Sequence, residues 1–411
     1  MNETRTHSPV FSPIRIGPLT LRNRIVKTAT YEGMTPRGVP SPALTRHHAE
    51  LARGGVAMTT LAYAAISEEG RTFDDQLWLR PAVVPALRAL TDAIHREGAA
   101  ASIQLAHAGA FTKSLARGRV RAIGPSAGLN LYGIASGRPL ARAMSAEDRA
   151  RVIDEAVRAT ELAIEAGFDA IEVHLGHGYL LSQWLSPRTN RRRDGYGGSI
   201  ENRMRFPLEV VERVREAAGD RVALIAKTNL DDGVRGGLGI DDAIEVARAL
   251  ERAGVDAIVP SGGMVDRSAM FLMRGERPLR DMVAVEKNPL QKVALAVLGP
   301  IVVPKVDYEP MYFLPLARRL RAAVKMRVAL LGGVTERAHA EQALAEGFDF
   351  LVMGRALIAE PELAQRWERG DDAPSPCTHC NRCMTEMDRP GGVACSIMPE
   401  QLARRAREVA G

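Results

Sequence analysis

One short pattern recurs along this chain and limits what it can fold into. Glu-Ala-Gly-Phe-Asp-Ala-Ile-Glu-Val (165–173), Arg-Ala-Gly-Val-Asp-Ala-Ile-Val (252–259) and Ala-Glu-Gly-Phe-Asp-Phe-Leu-Val (345–352) are three copies of it. Arg-Gly-Gly-Val-Ala-Met (53–58) and Arg-Glu-Gly-Ala-Ala-Ala (96–101) are looser ones. Each reads as a helix stopped by Gly, whose missing Cβ permits the left-handed conformation just past a helix end. Each then enters a nearly continuous apolar strand, as a strand buried on both faces requires. Ile25–Thr28, Arg221–Lys227 and Met326–Leu331 bring the strands to eight, alternating with helices such as Ala43–Arg53, Pro81–Arg96 and Ala146–Ala166. That alternation predicts an α/β fold, a (β/α)8 TIM barrel. No G-x-G-x-x-G follows the first strand, which sets a doubly wound sheet aside.

The barrel is expected over residues 1–370, with residues 1–10 disordered and a long polar loop at 110–145. Residues 262–325, between strands six and seven, form a long insertion rich in Met, Leu and Val. It reads as a lid or as an extra packing layer. Pro374 and Pro376 introduce a separate tail, 371–411, that holds all four cysteines. Such clustering points to a metal site and a reducing cytoplasm, not to a disulfide framework. The N-terminus MNETRTHSPVF lacks the apolar core of a signal peptide. The longest apolar run, Val293–Val303, is too short to span a bilayer and is broken by Gly299 and Pro300. A net charge of +6 weakly favours anionic ligands. The basic spots Arg191–Arg193 and Arg404–Arg407 carry no interleaved aromatics, and only 5% of residues are aromatic, so a nucleic-acid groove is not expected.

Active sites of such barrels sit at the C-terminal ends of the strands. Strand one ends in Thr28, Ala29 and Tyr31, strand three in Gln104 and His107. Strand four ends in His174, His177 and Tyr179, and strand five in Lys227. After strands seven and eight come Gly332-Gly333, with Thr335 opening a helix, and Gly354-Arg355. Small residues, helix N-termini and an arginine in these two loops suit a phosphate. A phosphate at one side with a cation and an amide at the other suits flavin mononucleotide, FMN. Gln104 would bond the pyrimidine edge, and Lys227 would favour the negative charge that gathers near N1 on reduction.

The motifs FSPIRIGPLTLRNRIV, IQLAHAG and AGFDAIEVHLGHGYLLSQWLSPRTNRRRDGYGGSIENRMRF, with the GG and GR pairs, resemble the Old Yellow Enzyme family of NAD(P)H:flavin oxidoreductases over about residues 9–370. The resemblance implies non-covalent FMN on a barrel, reduced by NAD(P)H, with the electrons passed to an electron-poor alkene. His174 and His177 would hold the substrate's carbonyl oxygen and Tyr179 would protonate the α-carbon, an ene-reductase. Ala62, from the segment LAYAAI, would contact the flavin, although that segment lacks the familiar acidic residue. Tyr31 stands where many members have Thr or Cys, Lys227 replaces the more usual Arg, and Ala110 stands where Arg is common.

The tail reads CTHCNRC…C, with Cys377, Cys380 and Cys383 at two-residue gaps and Cys395 after eleven residues. It is similar to the iron–sulfur segment of the branch holding 2,4-dienoyl-CoA reductase and trimethylamine dehydrogenase. That similarity implies a 4Fe–4S cluster; a four-cysteine zinc site and a metal-free tail stay open beside it. With the sequence ending at Gly411, the cluster is expected to be structural or to serve an external electron-transfer partner. The competing functions are flavin-dependent amine oxidation or N-demethylation, and a metal-dependent hydrolase using His107, His174 and His177. The small-molecule substrate, NADH against NADPH, and homo-oligomerisation are open.

Overall fold

The structure, a computed structural model, describes residues 8–114 and 121–410. Eight parallel strands close into a barrel: β1 Ile25–Lys27, β2 Met58–Ala65, β3 Ala100–Ala106, β4 Ala170–Leu175, β5 Ala223–Asn229, β6 Ala257–Ser261, β7 Arg327–Leu331 and β8 Phe350–Met353. They run around the barrel in chain order, and β4–β8 in particular are buried along almost their whole length. The repeated Gly-x-Asp segment therefore does what its sequence predicts. Gly167, Gly254 and Gly347 adopt φ of 85°, 79° and 88° at the helix ends. Each following Asp carboxylate then accepts main-chain N–H bonds at a strand start: Asp169 from Ala101, Asp256 from Leu224 and Asp349 from Val328.

Residues 1–7 of the segment expected to be disordered lie outside the described residues. Residues 8–11 are ordered: Pro9–Phe11 form a 3-10 turn with Val10 fully buried. The turn leads into a hairpin, Ile14–Ile16 against Leu19–Leu21, that covers the N-terminal end of the barrel with Ile16 and Leu21 inside. Apolar side chains at Val10, Ile14 and Ile16 overrode the polar character of the residues before them. The loop after β3 is also less irregular than expected. It carries a small sheet of Ala122–Gly124, Leu140–Ala143 and Gly128–Leu129, braced by Asn130 on Thr112.

The insertion after β6 holds helices at Ala269–Leu272, Leu279–Val285 and Pro289–Val302. The last of these is apolar yet solvent-facing, with Leu290 80% and Ile301 79% exposed. The next helix, Leu314–Arg321, belongs to the barrel wall, because Leu314, Ala317 and Leu320 are buried and Arg319 pairs with Asp241. The excursion thus ends before Leu314, earlier than the sequence predicts. Among the described residues no helix is long and apolar enough to cross a membrane.

Candidate active site

A cavity of about 1270 Å3 opens at the C-terminal end of the barrel. Single-ligand pockets run to about 300–1,000 Å3, so this one has room for a cofactor and a second molecule. Thr28, Ala29, Tyr31, Gln104, His174, His177, Tyr179, Lys227, Gly332, Gly333, Gly354 and Arg355 all line it. Strand register assembles its floor, pairing Gln104 with Glu172 and Lys227 with His174. Lys227 Nζ donates to Thr28 Oγ1 at 2.9 Å and to Glu172 Oε1 at 2.8 Å, and Gln104 Nε2 donates to the same Glu172 oxygen at 2.6 Å. Glu172 joins this network although no motif singled it out. Its signal was a carboxylate inside an otherwise apolar strand, two residues before His174 and so on the same strand face.

The two His and the Tyr form one wall. The rings of His174 and His177 are 4.9 Å apart, and those of His174 and Tyr179 4.6 Å. His177 holds φ of 60°, the left-handed region that a β-carbon disfavours. Three contacts fix it there. Its N–H donates to Asn229 Oδ1 at 3.0 Å, its carbonyl accepts from Val265, and its Nε2 meets Ser261 Oγ at 2.7 Å. His174 Nδ1 is buried with no protein partner. Burial holds His177 down at about 3 and His174 well below the usual imidazole range, with the nearby Lys227 charge acting the same way. Both rings are neutral at ordinary pH. Burial keeps the Tyr179 phenol protonated, and it shares a hydrogen bond with Tyr63.

The glycine loops make a cradle. Gly332 and Gly333 adopt φ of 102° and 78°; a β-carbon on Gly332 would lie 2.8 Å from Phe313 and Tyr312, and one on Gly333 2.7 Å from the Met311 nitrogen. Thr335 does not open the next helix, which begins at Arg337. Arg355 Nη1 is anchored by the Arg274 carbonyl at 2.7 Å and by Asn381 Oδ1 at 2.5 Å. This small-residue cradle beside a fixed guanidinium fits a phosphate.

Two residues lie apart from the cavity. Ala62 does not line it, and its N–H donates to buried Glu32 at 3.3 Å; Tyr63 is the strand-two side chain that faces inward. His107 sits instead beside Glu69 and Glu155, the one trio among the described residues with ligand atoms all within 4.8 Å of one another. That trio is not a metal site. Gly109 N–H donates to His107 Nδ1 at 2.9 Å, which leaves the ring proton on Nε2, and the Arg151 guanidinium already bridges Glu69 and Glu155. The three histidines expected of a hydrolase do not converge.

The tail packs across the same mouth. Asn381 Nδ2 donates to the Met273 and Glu276 carbonyls, Ser375 N to Thr335, and Val393 N to Glu32. Cys377 and Cys383 line the cavity. Burial pushes the Cys383 thiol up to about 12 against the Arg355 charge, and the other three cysteines are each near enough to add to it. The four cysteines are thus grouped at one place, yet no three of their sulfurs come within 4.8 Å of one another. A tetrahedral zinc with bonds of about 2.3 Å would hold them at roughly 3.8 Å.

Comparison with known proteins agrees with this geometry. Residues 9–273 match the model of the NADH:flavin oxidoreductase / NADH oxidase family. The chain is 43% identical over 400 residues to a 4,4'-dithiodibutanoate disulfide reductase of Rhodococcus erythropolis, covering 97% of each. It is 31% identical to a metal reductase of Desulforamulus reducens, over 96% of this chain and 54% of that one. The fold matches a 2-naphthoyl-CoA reductase structure with a TM-score of 0.78 at 24% identity, over 97% of this chain and 58% of that one. The chain therefore spans little more than half the length of the latter two. It is an enzyme that belongs to the NADH:flavin oxidoreductase / NADH oxidase family.

Proposed function

We propose that the cavity holds FMN and that the enzyme reduces a small electron-poor acceptor with electrons from NAD(P)H. The observation that carries this reading is that a bonded polar network and a cluster of proton-donating rings meet in one cavity. Thr28, Gln104 and Lys227, tied together through Glu172, line it beside His174, His177 and Tyr179. Once bound, FMN would supply hydride transfer from NAD(P)H to the acceptor. Lys227 and Gln104 would hold its pyrimidine edge, Gly332, Gly333 and Arg355 its phosphate, and Thr28, Ala29 and Tyr31 its ring edge. His174 and His177, both neutral, donate to the acceptor oxygen, and Tyr179 supplies the proton. For an α,β-unsaturated carbonyl compound the hydride goes to the β-carbon and the Tyr179 proton to the α-carbon, so the C=C bond is saturated. Anaerobic stopped-flow reoxidation of the reduced enzyme by a panel of activated alkenes tests this. Absence of reoxidation by every alkene would remove the ene-reductase reading.

A second acceptor is favoured by the 43% identity to the disulfide reductase over nearly the whole chain. In that case the S–S bond breaks. Two electrons from NAD(P)H and one further proton then give two thiols, with the His pair and Tyr179 steadying and protonating the leaving thiolate. In both readings the four tail cysteines would hold a 4Fe–4S cluster, as their CTHCNRC…C spacing and their grouping around Cys383 suggest. The cluster braces the tail or serves an external partner. The protein is cytoplasmic, as its grouped thiols suggest.

A further inference from the structure

Among the described residues that line the cavity, Lys113 is a cationic side chain set against aromatic rings, and no role has been assigned to it so far. Three ring contacts lead to it from the proton donor: Tyr179 to Phe111 at 4.9 Å, Phe111 to Tyr132 at 5.9 Å, and Tyr132 to the Lys113 ammonium at 5.1 Å. The ammonium also lies 5.9 Å from the Phe73 ring, and it lines the cavity. Among the described residues no carboxylate comes within 4.0 Å of it. Asp388 and Glu286 act from farther away and keep it charged, with a hydrogen bond to Tyr132. Its backbone is fixed. Lys113 N donates to the Thr72 carbonyl at 2.8 Å, Thr112 Oγ1 to Arg71 at 2.6 Å, and Asn130 Nδ2 to Thr112 at 2.7 Å. A cation held over aromatic faces and largely buried, with no carboxylate of the described residues within 4.0 Å, has the capacity to bind an anionic group. The aromatic path between it and Tyr179 suits the apolar chain that would join such a group to the reacting atoms.

We propose that Lys113 is a specificity-determining residue that binds the carboxylate of an acceptor whose reactive centre is separated from that carboxylate by a short alkyl chain. This rests on the disulfide reading above and extends it to a class: ω-carboxyalkyl disulfides, with one carboxylate on Lys113 and the S–S bond beneath His174 and Tyr179. The other anion that enters this mouth is the phosphate of NAD(P)H, and the experiment separates the two.

The probe is decanedioate, the unreactive carbon analogue of 4,4'-dithiodibutanoate, titrated into the oxidised flavin-loaded enzyme and followed by the flavin absorbance. Wild-type enzyme is expected to bind it, and Lys113→Met to bind it about 10- to 100-fold more weakly, the worth of a charge-assisted hydrogen bond. Lys113→Arg is expected to recover most of the affinity. Decanediamide should not distinguish wild type from Lys113→Met. Equal decanedioate binding by wild type and Lys113→Met, or none by wild type, overturns the proposal. So does a weakening confined to NAD(P)H, which would make Lys113 a phosphate contact. Turnover of 4,4'-dithiodibutanoate by wild type is read separately: its absence would remove the disulfide reading, while the binding arm still decides what Lys113 holds.

Discussion

Lys227 and Glu172 meet beneath the mouth of the barrel, Nζ to Oε1 at 2.8 Å, with both side chains at least 96% buried. The cation that faces the proposed flavin is therefore already half neutralised, and its point charge is shared with the Thr28 hydroxyl. An arginine here would hold both carboxylate oxygens through its fork; lysine makes single contacts. Glu172→Gln keeps a hydrogen-bond acceptor but frees the Lys227 charge to act on the reduced flavin. Its midpoint potential is expected to rise by roughly 30 mV, the equivalent of about 1.4 kcal/mol for a two-electron couple. Dye-equilibration titration measures this, and a fall in potential would show that Glu172 does not set the charge of Lys227.

The neutral state of the histidine wall has a kinetic consequence. With His177 held at about 3 and His174 also low, neither titrates between pH 5.5 and 8.5. Oxidation of the reduced enzyme by acceptor should be flat over that range. The double variant His174→Ala with His177→Ala should lose about 10²-fold or more in this half-reaction, as for removal of oxyanion donors, with NAD(P)H oxidation barely altered. A sigmoid centred near pH 6.5 in wild type would mean that an imidazolium takes part.

The same burial makes the protein acid-labile. His48, His107, His174 and His177 are all held below their ordinary value by burial. Depressed folded-state values mean that stability is complete above about pH 6.5 and drains as pH falls towards 3, since only the unfolded chain takes up the protons. Each imidazole contributes about 1.4 kcal/mol per pH unit once below 6.5. Glu32, pushed up to about 7 by burial, works in the opposite sense and offsets one of them. Thermal melts should be level from pH 7 to 8.5 and drop steeply between pH 6 and 5. A Tm constant down to pH 5 would mean that these rings are protonated in the folded state.

For the tail, Cys380→Ser should abolish iron and labile sulfide in anaerobically prepared protein and open residues 374–410 to proteolysis. The barrel should still carry flavin, because the cluster's folding contribution is local. One zinc per chain in wild type, or no metal, would end the cluster assignment.

Much of this was legible in the sequence. The Gly-x-Asp repeat and its two looser copies marked five of the eight strands within a few residues, and separate apolar runs marked the other three, because strands buried on both faces need continuous apolar runs. The mouth residues followed from their places after those runs. What stayed hidden depends on contacts distant in sequence. Glu172 reads as a stray charge until Gln104 and Lys227 are seen bonded to it. Ala62 is drawn from the cavity by a carboxylate thirty residues earlier. Val10 looked like part of a polar arm because the barrel end it covers is built by later segments. The helix Leu314–Arg321 was merged into the insertion because its apolar positions continue the same composition.

The wall of the cavity is assembled from segments spread between Thr28 and Val409, and the tail supplies the last of them. During synthesis the barrel strands leave the ribosome first, while the cradle near Arg355 still lacks Asn381 and the neighbouring cysteines. Cofactor loading is thus a maturation step with an order. Flavin captured before the tail docks can still exchange with the medium, and docking of the tail across the mouth slows its escape. Asn381→Ala would then leave a folded barrel with an intact cradle sequence whose flavin exchanges faster with the medium, because the tail no longer fixes Arg355.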